Sequence, residues 1–226
     1  MARIPCGSNT ECQGELKEYL ELYEHLHKSI ESLNINVEAE CDKYPLIECV
    51  RNIQDLARKA TEILAGLGVD MKETEILENI RKTREESEIG SLASYVFRRI
   101  VFRGLRDRVK NLSWSSGKCP VCGLTPIAAI ARRTPHGFFS QLRLELHCLC
   151  GFSWSYEAFK CPLCGNTSRD KFEVIMINSL KIQRCVLCNH AVAIVDEGPL
   201  VSGDLVHVIM SYSMMKLAST EKHGSS

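Results

Sequence analysis

Apolar residues recur at three- and four-residue steps between Glu11 and Leu33, at Leu16, Tyr19, Leu20, Tyr23, Leu26, Ile30 and Leu33, while Glu, Lys and His fill the opposite side. That period predicts an amphipathic helix. A second helical pattern runs through Leu46, Val50, Ile53, Leu56, Ala57, Ala60, Ile63, Leu64 and Leu67; it begins just past Pro45 and ends at Ala65-Gly-Leu-Gly68. A shorter helix containing Ile76, Leu77 and Ile80 follows. Between Ser87 and Leu112 a fourth pattern aligns Leu92, Tyr95, Val96, Ile100, Leu105, Val109 and Leu112 in one stripe. Arg98, Arg99, Arg103, Arg106, Arg108 and Lys110 surround that stripe, which predicts an exposed, strongly basic face. Such a face is either solvated, its arginine stems lying over apolar surface, or a docking face for acidic groups on a partner or on the acidic half of the same chain.

The helical period stops at Ser113-Trp-Ser-Ser-Gly117, and short strands separated by cysteine pairs take over. Leu142, Leu144 and Leu146 alternate with Arg143 and Glu145 as a half-buried strand requires, and 172–177, 180–184 and 191–195 are also strand-like. Asn178-Ser179 is suited to turn one hairpin. The apolar stretch from Leu205 to Ala218, with Asp204 as its N-cap, predicts a last helix packed on the core. The expected fold class is α+β: a helical domain over 1–113, two tandem zinc-ribbon or rubredoxin-like modules over 114–158 and 159–198, and a short C-terminal helix and tail over 199–226.

Composition adds a charge asymmetry that the net charge of zero hides. Residues 1–97 carry 11 Lys+Arg against 19 Asp+Glu, and the remainder carries 17 against 9. The two halves are therefore oppositely charged and suited to attract each other, within the roughly 10 Å over which salt leaves such forces unscreened. No apolar run reaches the roughly 18 residues that a membrane span needs, and Met1-Ala-Arg-Ile-Pro-Cys lacks the apolar stretch of a secretion signal, so a cytoplasmic protein with no membrane partner is expected.

Of 12 cysteines, eight lie between 119 and 188 in close pairs, a clustering that points to metal rather than to a disulfide scaffold. Cys6, Cys12, Cys41 and Cys49 show no such pairing and are expected to be ordinary thiols. The four paired units are Cys119-Pro-Val-Cys122-Gly123, His147-Cys148-Leu-Cys150-Gly151, Cys161-Pro-Leu-Cys164-Gly165 and Cys185-Val-Leu-Cys188-Asn189. Each has Gly or Asn directly after its second cysteine. Those residues tolerate the positive φ with which a metal knuckle turns its backbone N–H groups toward sulfur.

Two such knuckles supply the four soft ligands of tetrahedral zinc or of a single iron. Pairing in chain order joins Cys119 and Cys122 to Cys148 and Cys150 across one hairpin, and Cys161 and Cys164 to Cys185 and Cys188 across another. The second unit is irregular. Its cysteines are one residue apart, and His147 stands where a two-residue spacing would put the first ligand, so either Cys148 bends into the site or His147 replaces it. A thioredoxin-like Cys-x-x-Cys should open a helix, which strand-like sequence after each pair does not offer, and the compact cysteine run of two-cluster ferredoxins is missing.

Together these residues resemble the FdhE family of formate dehydrogenase accessory proteins. The resemblance rests on Trp114-Ser-Ser-Gly-Lys-Cys-Pro-Val-Cys-Gly123 with Pro126 beyond it, Leu142-Arg-Leu-Glu-Leu-His-Cys-Leu-Cys150 with Trp154 after it, Lys160-Cys-Pro-Leu-Cys-Gly165, and Cys185-Val-Leu-Cys188, and it covers about residues 113–197. It implies a helical N-terminal part, two rubredoxin-like modules that bind two metal ions, zinc or iron, through the eight paired cysteines, and a role in maturing formate dehydrogenase by binding its catalytic subunit. No enzymatic activity is expected, because four-thiolate sites are coordinatively closed and the chain has no phosphate-binding loop, nucleophile elbow or His-Glu-x-x-His. His136, His190 and His207 stand singly, and Gly66-Leu-Gly68 is too short for a dinucleotide fingerprint. The rival reading is a zinc-ribbon nucleic-acid binder or general adaptor, drawing on Arg132, Arg133, Arg143, Lys160, Arg169, Lys171, Lys181 and Arg184. The ribbons lack the aromatic and basic interleaving suited to base stacking, so nucleic acid is not expected. Whether two copies form a homodimer is open.

Overall fold

A computed structural model describes residues 10–41, 43–86, 92–136, 139–177 and 180–196. The expected turn at Asn178-Ser179, the last helix and Cys6 lie outside the described residues. Four helices come first: α1 (Thr10–Ser32), α2 (Ile53–Gly66), α3 (Glu73–Glu86) and α4 (Leu92–Val109). The strands β1 (Ala128–His136), β2 (Phe139–His147), β3 (Ser153–Glu157), β4 (Phe172–Ile177), β5 (Leu180–Cys185) and β6 (Ala191–Asp196) follow.

The apolar stripes meet around α4. Leu26 and Ile30 of α1, Leu56, Ala60 and Leu64 of α2 and Ile76 of α3 join Val96, Phe97, Ile100, Val101 and Leu105 in one core, where each large side chain contributes about 1.5–3 kcal/mol by leaving water. As expected, α2 ends at the glycines. Gly68 has φ 76°, its N–H donates to Ala65 O at 3.0 Å, and Val69 N–H donates to Leu64 O at 2.9 Å. These two bonds cap the last carbonyls of the helix as a Schellman motif does.

The helix predicted to begin just past Pro45 is broken. Leu46–Cys49 form one 3-10 turn, and the chain straightens before α2 starts at Ile53. Tertiary bonds overrule the helical period here. Val50 bridges Ala39, Arg51 N–H donates to Glu38 O at 2.8 Å, and Asn52 ties the segment to Asn36 O and Glu38 N. Cys41 and Cys49 are also not free thiols: a disulfide joins them across a separation of 8 residues. Closing a loop that short removes about 2–3 kcal/mol worth of unfolded-chain entropy.

The basic side of α4 is solvated only toward its C-terminal end, where Arg106, Arg108 and Lys110 are exposed. Ala93 through Arg98 are buried without interruption, and Arg98, Arg99, Arg103 and Arg108 donate to backbone carbonyls. Arg103 donates to Leu33 O at 2.5 Å and also to Ile30 O, at the C-terminal end of α1, while Arg108 donates to Ala39 O and Cys41 O at 3.0 and 3.1 Å. Arg106 pairs with Glu31 at 2.9 Å. Between the oppositely charged halves, Arg103 and Arg106 form ion pairs with Glu31, and the carbonyl oxygens that Arg103 and Arg108 bond are neutral. Gly104 permits the close approach, since a Cβ there would stand 2.1 Å from Val37.

The strands form one six-stranded sheet in the order β3-β2-β1-β6-β5-β4. Every pair is antiparallel except β1 with β6, which run parallel with Ala128 opposite Ala193. Each half of the sheet repeats one plan: knuckle, two strands, knuckle, third strand. The two modules are therefore joined head to tail, the first strand of one against the third strand of the other. The predicted strands over 172–177, 180–184 and 191–195 are present, and Leu144 and Leu146 point inward while Leu142 is 40% exposed.

Candidate metal centres

The knuckles form by the same backbone logic in all four units. The N–H of Gly123 donates to Cys119 O, that of Gly165 to Cys161 O and that of Asn189 to Cys185 O, at 2.8–2.9 Å; the N–H of Cys119, Cys161 and Cys185 in turn donates to Leu124 O, Asn166 O and His190 O. The residue after the second cysteine has positive φ each time: 77° at Gly123, 105° at Gly151, 74° at Gly165 and 58° at Asn189. The left-handed conformation expected from those residue types is the one they adopt.

The irregular unit solves its missing residue inside the turn. Gly151 N–H donates to Cys148 O and Cys148 N–H to Phe152 O, each at 2.9 Å, so both bonds span one residue fewer than their counterparts in the other knuckles. Cys148 keeps the place of the first cysteine, and His147 stays on β2, opposite Ala128 and Ser153. The His147 ring is buried with Nε2 2.9 Å from Glu145 Oε1, an electrostatic contact without the alignment of a hydrogen bond. Glu145 also accepts from Arg132 Nε at 2.7 Å. Proximity to His147, opposed by burial and helped by Arg132, holds the Glu145 carboxyl down at about 2.

Two four-thiol groups result. In the first, Cys119 Sγ lies 3.6 Å from Cys150 Sγ and Cys122 Sγ 3.3 Å from Cys148 Sγ; in the second, Cys161 Sγ lies 3.5 Å from Cys188 Sγ and Cys164 Sγ 3.7 Å from Cys185 Sγ. Within each group all four sulfurs lie within 4.8 Å of one another. A tetrahedron with metal–sulfur bonds of about 2.3 Å has edges of about 3.8 Å, so both groups fit one zinc or one iron. The pairing is the one expected from chain order. A bound metal supplies a cross-link between knuckles and the folding free energy that goes with it.

The two surroundings differ. All four cysteines of the first group are buried within the core shared with the helices. Arg98, fully buried on α4, donates through Nε to Ser94 Oγ at 3.0 Å, through Nη1 to Cys122 O at 3.1 Å and through Nη2 to Ile80 O at 3.0 Å. Burial raises the thiols of Cys119 and Cys150. At Cys122 burial acts in the same sense but is outweighed by the facing thiols of Cys119, Cys148 and Cys150 and by the charge of Arg98, which favour its thiolate. In the second group burial pushes Cys161 up to about 12, whereas the backbone N–H of Asn166 lowers Cys164 at the surface.

The role of Arg98 was not legible in the sequence, where it is one of six basic residues around α4. The same holds for Leu46 and Ile47, whose N–H groups donate to Pro120 O and Val121 O at 2.8 Å and seat the disulfide-closed loop on the first knuckle. His190 lies at the foot of β6, its Nε2 3.0 Å from Pro126 O, and burial lowers its pKa. No helix among the described residues is long and apolar enough to cross a membrane.

No protein-family model matches the chain, and no curated protein matches it. Among solved structures the chain is similar to the FdhE protein from Pseudomonas aeruginosa, at 18% identity and a TM-score of 0.47, over 87% of this chain and 75% of that one.

Proposed function

We propose that this chain is a non-catalytic accessory protein that assists maturation of a formate dehydrogenase by binding its catalytic subunit, with Cys119, Cys122, Cys148 and Cys150 holding one metal ion and Cys161, Cys164, Cys185 and Cys188 a second. The observation that carries this reading is the assembly of two four-thiol groups from the knuckle motifs that resemble the FdhE family's. Four thiolates close the coordination sphere, so each centre cross-links the chain and leaves no position for water or substrate. The ribbons then serve as rigid scaffolds, and the helical half or its junction with the ribbons holds the partner while that partner is assembled.

The nucleic-acid reading loses support from the charges themselves. On the ribbons Arg132 pairs with Glu145, Lys160 with Glu157, Lys181 with Asp196 and Arg184 with Glu173, while on α4 Arg98, Arg99, Arg103 and Arg108 donate to carbonyls of this chain and Arg106 pairs with Glu31. The discriminating experiment isolates the tagged protein anaerobically from its native cells, identifies by mass spectrometry what is retained, and repeats this with Cys161→Ser. Retention of a formate dehydrogenase catalytic subunit by the parent and its loss from the variant is the expected result. Retained DNA or RNA, released steeply by salt, would replace this reading by its rival.

A further inference from the structure

We propose that the second four-cysteine group is a solvent-open centre that exchanges its metal with small thiols or chelators, while the first keeps its metal as part of the folded core. This rests on the reading that both groups hold metal, and it assigns them different work.

Access differs first. Cys119 is 2% exposed and Cys122, Cys148 and Cys150 are at 0%, whereas in the second group Cys164 is exposed and Cys188 half-buried above a floor made by Cys161 and Cys185. The knuckle tips around Cys164 are open as well, with Leu163 at 39%, Val186 at 40% and Leu187 at 61%. A soft ligand arriving from solvent meets one sulfur directly.

The cover differs too. The knuckles of the first centre are held by donors from two other parts of the chain: Leu46 and Ile47 on Pro120 O and Val121 O, and from α4 Arg98 on Cys122 O and Arg99 on Leu149 O at 3.1 Å. Gly151 sits against Arg99 and Phe102 of α4, within 3.0 Å of each for an added Cβ. Exposing that centre requires α4 and the 41–49 loop to lift away, an opening close in cost to unfolding the core. The second centre rests on the sheet, with Gly117 close against Pro162 and Val186 N–H bonded to Lys171 O. Opening the Cys161–Gly165 turn disturbs its own backbone bonds and the packing of Pro162 on Gly117, and leaves α4 in place.

Exchange then needs no redox partner. An incoming thiolate forms a new metal–sulfur bond as the bond to Cys164 breaks, and a solvent proton caps the released sulfur. Cys188 and then Cys161 and Cys185 are replaced in the same way, each released sulfur taking a solvent proton, and the metal leaves with its new ligands.

The test uses the full chain loaded with zinc, its stoichiometry fixed by elemental analysis before a chromogenic chelator is added in native buffer. Pulses of N-ethylmaleimide mapped by peptide mass spectrometry report which cysteines come free. About one of the two equivalents should leave in a fast phase, with Cys164 and Cys188 labelled first, the helical circular dichroism retained, and the first group labelled only after denaturant. Cys164→Ser should load about one equivalent and lose the fast phase. Release of both equivalents at one rate, retention of both in native buffer, or early labelling of Cys119 or Cys122 would overturn the inequality and leave the metal reading standing. Failure to load zinc at either group would overturn both.

Discussion

The guanidinium of Arg98 reaches from α4 to the backbone carbonyl of Cys122, 3.1 Å away, and so ties the helical half of the chain to the first thiol group through a fully buried charge. Its other donors are spent on Ser94 and on Ile80 O. When the group holds a divalent metal on four thiolates its net charge is −2, and Arg98 is the cation that Cys122 senses.

Replacing Arg98 by Met strands the buried Cys122 carbonyl and removes that counter-charge, so the folded state should lose about 3 kcal/mol. Arg98→Lys keeps the charge but not the fork, and the loss should be smaller. Urea unfolding of the metal-loaded proteins measures both. If Arg98→Met unfolds at the same urea concentration as the parent, the guanidinium is not the connector described here.

The shortened knuckle makes a second, sharper prediction. Cys148→Ser should cost the first centre its metal and lower stoichiometry by about one equivalent, because Cys148 Sγ belongs to the group and the His147 ring does not. His147→Ala should leave stoichiometry unchanged. Metal analysis of the two variants side by side decides between them, and a metal lost with His147 rather than Cys148 would reverse the ligand set.

Glu145 gives a pH dependence with a definite sign. Its carboxyl stands at about 2 in the folded chain against an ordinary 4.5, so it binds a proton less readily folded than unfolded. The stabilisation is fully present above 4.5 and is lost as pH falls from there toward about 2. Its size is at most ~3 kcal/mol. The thiolates also take up protons in acid, so the quantity to follow is the stability difference between the parent and Glu145→Gln. That difference should be level above about pH 5 and shrink below about pH 4.5. A difference that stays constant over that range would mean the carboxyl is not held down.

Much of the site could be read directly from the chain, for a local reason. A metal knuckle is a turn of five or six residues, and its requirements, two cysteines at close spacing and a Gly or Asn that accepts positive φ, are met within one short segment. The four knuckles, the strands that alternate through Leu144 and Leu146 and the glycine end of α2 all follow from neighbours in sequence, and the pairing in order follows from the single hairpin that separates the knuckles of each pair. The choice between Cys148 and His147 did not follow, because it depends on how two backbone bonds close around a missing residue.

Longer-range facts required the folded chain. Nothing in the pattern Leu46 to Leu67 announces a break at Val50–Asn52, since the break comes from Ala39 and Asn36, more than ten residues away. The Cys41–Cys49 disulfide depends on that same loop. Strand β1, rich in alanine and carrying Pro135, has little strand propensity of its own; it is a strand because β2 and β6 bond to its two edges. The arginines of α4 were legible as charge but not as ligands of carbonyl groups. Sequence alone determined which residues form the knuckles and the two sets of thiols, because those are short-range conformational choices. Only the tertiary structure decided which set is buried, which is open and what α4 holds in place, because burial is settled by which distant segments come to lie on top.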